Sequence, residues 1–296
     1  MKSYDVKNEF QNYNRIMPIK NELIKGADFP YRYYKNPNPE KNVTLVFLAG
    51  GTGLADAVFL FYSSLIRKYS LMTFNYPVAF NTNAALADAL AELLCILDAS
   101  NIYLVGQSYG GLLAQVMAKR HPELIKGLIL SGTCSMNNDL TYDGITSIVN
   151  FINPKKLKRN LRVDKYIPVK LLTPFLKLVF KKVAPDKDTA RLLSEVVSVL
   201  KDSITKGYWY HMDLLLGDLM REYGTHKPEH FESYCNETML IFSEQDKIFS
   251  DELKNALIRL MPPPIVIHNL DGGHLALITS PEDYVNMIIT FISERN

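Results

Sequence analysis

Ser108 stands in Val105-Gly106-Gln107-Ser108-Tyr109-Gly110-Gly111, with a glycine two residues to either side and an apolar run before it. A serine hydroxyl is a poor nucleophile until a base takes its proton. Six histidines can be considered for that task. His121 precedes a proline at the end of a helical pattern, and His211, His226 and His230 lie in a long interval without strand character. His268 is inside an apolar run, whereas His274 closes the glycine-rich Leu270-Asp271-Gly272-Gly273-His274 that follows that run. An imidazole base needs an orienting acid. Asp246, in Phe242-Ser243-Glu244-Gln245-Asp246, precedes His274 by 28 residues, with Glu244 and Asp251 as competitors. The fourth group is Phe47-Leu48-Ala49-Gly50-Gly51-Thr52-Gly53, whose glycines let backbone N–H groups face a ligand unobstructed. The N–H groups of Gly51 and Tyr109 make the expected oxyanion pair, and one such donor is worth about 3 kcal/mol in a transition state.

These residues need elements that bring them together. Short, almost wholly apolar runs at Val43–Leu48, Ser70–Phe74, Ile102–Val105, Gly127–Leu130, Thr238–Phe242 and Ile265–His268 read as strands buried on both faces of a parallel sheet. Helical patterns alternate with them at Ala84–Asp98, Tyr109–Lys119, Asp251–Leu260 and Pro281–Arg295, and Thr82 or Asn83 is a fitting N-cap for the first. Ile19–Ile24 and Tyr31–Tyr34 read as an antiparallel edge hairpin. The expected fold is therefore α/β, an open and mostly parallel sheet with helices on both faces. In such a sheet the loops at the carboxyl ends of the strands share one edge, where sites form. Ser108, Asp246, His274 and the glycine loop all follow strand patterns, so all four meet there.

Strand alternation stops between about Ser135 and Cys235, where apolar residues recur at helical spacing over Val169–Val183, Asp188–Leu200 and Tyr208–Tyr223. That interval is expected to be a helical insertion, because a loop of that length without structure is improbable. The division is then a core of 1–134 and 236–296 and a cap of 135–235. Within the cap, 155–182 carries ten Lys or Arg against one acid, Asp164. Either its lysines face water while its apolar residues cover the site, or the segment attracts an anionic substrate or makes peripheral contact with an anionic membrane. Trp209 and Gly50 are candidate substrate contacts.

Composition narrows the classes. The chain has 296 residues, 47% of them hydrophobic and 22% charged, and a net charge of +2, which does not point to nucleic acid. No run approaches the roughly 20 apolar residues of a membrane span, and the N-terminus has no secretory signal pattern. Cys95, Cys134 and Cys235 are far apart and form neither a metal spacing nor a disulfide framework. They imply a reduced, cytoplasmic protein with buried thiols and no metal. A phosphate-binding P-loop is excluded because no Lys-Ser/Thr follows the glycines, and the Rossmann spacing is also missing.

The order Ser108, Asp246, His274, together with FLAGGTG, GQSYGG, FSEQD and DGGHLALITSPE, resembles the α/β-hydrolase fold superfamily over roughly 43–131 and 238–296. The resemblance implies Ser108 as nucleophile, His274 as base, Asp246 as its partner, Gly51 and Tyr109 as oxyanion donors, no cofactor, and a helical cap after the sixth strand. It also implies a hydrolase of carboxylesterase or lipase type, acting on an acyl bond of a small molecule. Acyl transfer, C–C bond hydrolysis, aminopeptidase or lyase chemistry, or a non-catalytic binding role, are the alternatives on the same fold. Many members carry a histidine where this chain has Ala49, so the anchoring of the glycine loop needs another explanation.

Overall fold

The computed structural model describes residues 5–51, 53, 55–137, 139–152, 187–203 and 207–295, and the single positions 155, 158, 174, 177 and 178. Among the described residues eight strands form one sheet: β1 (Ile19–Ile24), β2 (Ala27–Tyr34), β3 (Thr44–Leu48), β4 (Ser70–Thr73), β5 (Ile102–Gln107), β6 (Ile125–Ser131), β7 (Thr238–Phe242) and β8 (Val266–Asn269). Their order is β1-β2-β4-β3-β5-β6-β7-β8. The β1/β2 and β2/β4 pairs are antiparallel and every other pair is parallel. β3, β4 and β7 are buried at every residue, as their uninterrupted apolar runs require. β8 departs from that expectation. It has a neighbour on one side alone, and its residues alternate between half-buried and exposed.

The longer helices are α1 (Val6–Ile16), α2 (Asn83–Ile96), α3 (Tyr109–Arg120), α4 (Tyr142–Ile152), α5 (Lys187–Leu200), α6 (Tyr208–Asp218), α7 (Asp251–Leu260) and α8 (Pro281–Ser293). Thr82 caps α2 by accepting a hydrogen bond from the Ala85 N–H at 3.2 Å, and Ser250 caps α7 through the Leu253 N–H. α4, α5 and α6 all fall between β6 and β7, so the helical cap enters after the sixth strand. The pattern over Tyr208–Tyr223 yields a shorter helix: α6 ends at Asp218 and a 3-10 turn, Leu219–Arg221, follows. The helix expected at 169–183 and the basic stretch 155–182 lie outside the described residues apart from their isolated positions. Among the described residues no helix is long and apolar enough to cross a membrane.

α1 has no counterpart among the helical patterns of the sequence. Asp5 caps it, accepting from the Asn8 N–H at 3.1 Å, and it buries Tyr13 beneath the antiparallel edge. Tyr13 Oη meets Thr73 Oγ1 at 2.8 Å and Asp56 Oδ1 at 3.2 Å, and the Arg32 guanidinium lies 4.9 Å from its ring centroid. Arg32 and Asp56 form a buried ion pair at 2.8 Å. The expectation of three buried thiols needs correction. All three are free, but only Cys134 is buried, while Cys95 and Cys235 are exposed at the end of α2 and in the turn before β7.

Candidate active site

The strand register sets the site. Leu48 of β3 pairs with Gly106 of β5, Gln107 with Ser131 of β6, Ser131 with Ile241 of β7, and Phe242 with Asn269 of β8. Gly50, Ser108, Asp246 and His274 all come a few residues beyond this line, so the parallel register delivers four loops to one edge.

Ser108 occupies the turn between β5 and α3, with φ 53° and ψ −120°. A non-glycine residue in this region costs on the order of 1–3 kcal/mol and must be held by its surroundings. The Ser108 N–H donates to Ser131 O at 3.0 Å, and its carbonyl accepts from the Gly111 N–H at 2.9 Å and from Thr133 Oγ1 at 2.8 Å. The glycines are required by close approach. A Cβ on Gly106 would lie 2.5 Å from Gly110 O, and one on Gly110 would lie 2.0 Å from Leu48 O. Ser108 itself is 4% exposed.

His274 Nδ1 and Asp246 Oδ2 are 2.9 Å apart. Asp246 is buried, and its carboxylate also accepts from the Ile248 N–H at 2.8 Å. Burial alone pushes this carboxyl up. The hydrogen bond and charge of His274 and the N–H groups of Ile248 and Phe249 outweigh that and hold it below the usual carboxylate range. The two loops are tied to each other as well, because Ser243 Oγ accepts from the Gly273 N–H at 3.1 Å. Gly132, with φ 48°, passes beside the pair.

In the neutral imidazole, a proton on Nδ1 facing Asp246 leaves Nε2 as an acceptor. Gln107 supplies its neighbour. Its Nε2 lies 3.4 Å from His274 Nε2 and donates to the His274 carbonyl at 3.0 Å. A carbonyl only accepts, so this bond fixes the orientation of the Gln107 amide. The hydrogen bonds of His274 thus run to Asp246 and Gln107 and not to Ser108. Sequence reasoning passes over Gln107, although it sits inside the motif beside Ser108.

The glycine loop turns back on itself, with the Gly53 N–H donating to Gly50 O at 2.7 Å. Among the described residues nothing lies within 4 Å of the position a Cβ on Gly51 would take. The Tyr109 N–H, in the first turn of α3, has no intrahelical carbonyl to reach and stands at the positive end of the helix. Two tyrosines hold this loop where Ala49 replaces the expected histidine. Tyr76 Oη donates to Ala49 O at 2.6 Å, and Tyr208 Oη donates to Gly53 O at 2.5 Å.

An apolar pocket of 60 Å³ adjoins these loops, reached by Ala49, Gly50, Gln107 and Leu275 on the core side and by Leu193 and Val197 of α5. Trp209 is not part of its lining. It packs edge-on to Tyr208, with ring centroids 6.5 Å apart. Cys134 is the one buried thiol near the pair. Burial, with the Asp246 charge adding, pushes it up to about 12, which keeps it protonated and unreactive. Among the described residues no cluster of His, Cys, Asp and Glu is arranged to hold a metal ion.

The alpha/beta hydrolase fold family model matches residues 61–281, well over half of the chain. A poly(3-hydroxyalkanoate) depolymerase from Ectopseudomonas oleovorans is 22% identical over 290 residues, covering 95% of this chain and 93% of that protein. Among solved structures, an esterase from Exiguobacterium antarcticum aligns with a TM-score of 0.70 at 14% identity, over 93% of this chain and 99% of that one. A meta-cleavage product hydrolase from Pseudomonas fluorescens aligns with a TM-score of 0.68 at 18% identity, over 96% and 100%.

Proposed function

This chain belongs to the α/β-hydrolase fold family, and within that family we propose that it is a serine hydrolase cleaving an ester or related acyl bond of a small molecule through an acyl-enzyme on Ser108. In this reading residues 135–235 are the cap, and no cofactor takes part. His274 Nε2 removes the Ser108 proton as Oγ attacks the carbonyl carbon. Asp246 keeps the second imidazole proton on Nδ1 and stabilises the imidazolium that forms. The developing oxyanion is received by the N–H groups of Gly51 and Tyr109. His274 then returns the proton to the leaving group, and water, activated by the same imidazole, frees the acid.

The observation that carries this reading is the 2.9 Å contact between His274 Nδ1 and Asp246 Oδ2, on the same sheet edge as a serine at φ 53°. Attack requires the Ser108 hydroxyl to take the place of the Gln107 amide at His274 Nε2, a side-chain rotation of a kind expected when substrate enters. The apolar pocket beside Gly50 supports an apolar acyl group, and its 60 Å³ favours a short or slender one. A series of p-nitrophenyl esters from acetate to palmitate tests this. The expected result is turnover with a burst of p-nitrophenol equal to the enzyme present, fastest for the shorter chains, and no burst from Ser108→Ala. Turnover by Ser108→Ala at the wild-type rate would sink the reading.

A further inference from the structure

α6 reaches both halves of the oxyanion site. On one side Tyr208, its first residue, is buried, and its hydroxyl donates to Gly53 O at 2.5 Å. The phenol end of its ring occupies the space beside the glycine. A Cβ on Gly53, whose φ is 62°, would fall 2.0 Å from the phenol oxygen and 2.7 Å from Cζ. Gly53 in turn closes the turn that carries Gly51, through its N–H to Gly50 O. On the other side Tyr109 Oη donates to Asn83 Oδ1 at 2.7 Å. The Asn83 side chain donates to Leu215 O at 3.0 Å and to Asp218 Oδ2 at 3.1 Å, and its backbone N–H reaches the same oxygen at 2.7 Å. Leu215 and Asp218 lie further along α6, towards its end. The two sides also touch, since the rings of Tyr76 and Tyr109 meet edge-on at 5.5 Å while Tyr76 holds Ala49 O. His211, on the same helix, binds Phe80 O at 2.8 Å and pins the first turn of α6 to the segment after β4.

Burial pushes the phenols of Tyr76, Tyr109 and Tyr208 up, so each remains a donor across the working pH range. In each case the acceptor is a backbone carbonyl or a side-chain amide of the core. None of these bonds touches the reacting atoms.

We propose that Tyr208 and the Asn83–Asp218 pair are positioning residues for the oxyanion hole, so that the hole is complete only while α6 is docked on the core. This rests on reading Gly51 and Tyr109 as the oxyanion donors, and deepens that reading by giving the cap a direct part in transition-state stabilisation. In place of the histidine expected before Gly50-Gly51, a tyrosine from the cap anchors the loop from outside it. A cap docked in this way ties rate to cap closure, since lifting α6 releases Gly53 and Asn83 together.

The test compares Tyr208→Phe with Tyr234→Phe. Tyr234 is an equally buried tyrosine whose hydroxyl also donates to a backbone carbonyl, Ala118 O at 3.0 Å, well away from the site. Both variants lose one phenol hydrogen bond, and comparable small losses in thermal stability are expected of both. Tyr208→Phe should lower kcat about 10–100-fold with KM within about twofold, because a displaced oxyanion donor acts on the transition state. Its affinity for phenylboronic acid, which forms a tetrahedral serine adduct, should fall in parallel. Tyr234→Phe should keep wild-type kcat. Asp218→Ala should behave as Tyr208→Phe does, and Asp218→Asn, which retains an acceptor oxygen for Asn83, should recover most of the activity. Wild-type turnover with unchanged kcat and boronate affinity in Tyr208→Phe and Asp218→Ala overturns this inference alone. A wild-type protein that neither turns over esters nor reacts at Ser108 overturns the reading beneath it as well.

Discussion

Gly110 has the closest backbone neighbour of the glycines in the candidate site. A Cβ on it would lie 2.0 Å from Leu48 O, 2.5 Å from Leu48 C and 2.7 Å from Ala49 O. All of these are backbone atoms where β3 passes into the glycine loop, so no side chain can swing aside. Relief requires α3 and β3 to part by about 1 Å, since real Cβ contacts are essentially never shorter than 3.0 Å. Forcing extra volume into a packed region typically costs about 1–3 kcal/mol, and a collision with backbone belongs at the upper end. About 3 kcal/mol in a chain of 296 residues lowers Tm by about 5 °C. The same separation moves Ser108 relative to Gly51, and about 1 Å of misplacement costs on the order of 100-fold in rate. Gly51→Ala is the contrast for stability. Among the described residues nothing lies within 4 Å of its Cβ position, and the change should stay within about 0.5 kcal/mol. Thermal unfolding and ester kinetics on both variants read the result. A Gly110→Ala protein with wild-type Tm and kcat would refute the packing argument for the elbow.

Asp246→Asn offers His274 Nδ1 an amide in place of a carboxylate, so the imidazole loses its orienting charge and tautomer. A fall in kcat of about 10⁴-fold is expected, measured on any ester the wild type cleaves. Asp56→Ala strands the buried Arg32 guanidinium and should cost about 3–5 kcal/mol in urea unfolding. Pairing it with Arg32→Met should recover part of that loss, and a double variant less stable than the single would contradict the account. Burial holds His211 and His226 below the ordinary imidazole value, so each stays neutral in the fold after the unfolded chain has begun to take up protons. Their contribution is present in full above pH of about 6.5 and is lost as pH falls below it, by up to about 1.4 kcal/mol per pH unit for each. Tm should therefore drop between pH of about 7.5 and about 5.5, with a shallower slope in His211→Gln. A Tm that rises on acidification over that range would oppose this sign.

Much of the site is legible in the sequence because its parts are local. Each of the four loops announces itself by an apolar run followed by glycines or small polar residues, and the parallel register does the rest. Most strand positions agree within a residue or two, since runs such as Thr238–Phe242 are buried on both faces and carry no competing helical period. β2 is the exception, starting at Ala27, four residues before the expected Tyr31, because residues 27–30 pair with β1 through a stretch that carries no apolar run. β8 is not fully buried as its apolar run suggests, because a sheet edge is a property of strand order, which apolar content does not encode. α1, written VKNEFQNYNRI, is mostly polar, and its helical signal is the spacing of a few residues, Val6, Phe10, Tyr13 and the following Met17, rather than apolar content. The hydrogen bonds of Tyr76, Tyr208, Asn83 and Gln107 cannot be read from the sequence at all. Each joins residues brought together by the fold, such as Tyr208 and Gly53, and a lone tyrosine in a helix carries no sign of what it will hold.

The claim on which everything else depends is that Ser108 is the nucleophile. Reaction with a fluorophosphonate, followed by intact-mass measurement and peptide mapping, tests it most directly. The account predicts one adduct per chain, located on Ser108, missing in Ser108→Ala and strongly slowed in Asp246→Asn. An adduct on another residue, or equal labelling of wild type and Ser108→Ala, would contradict it.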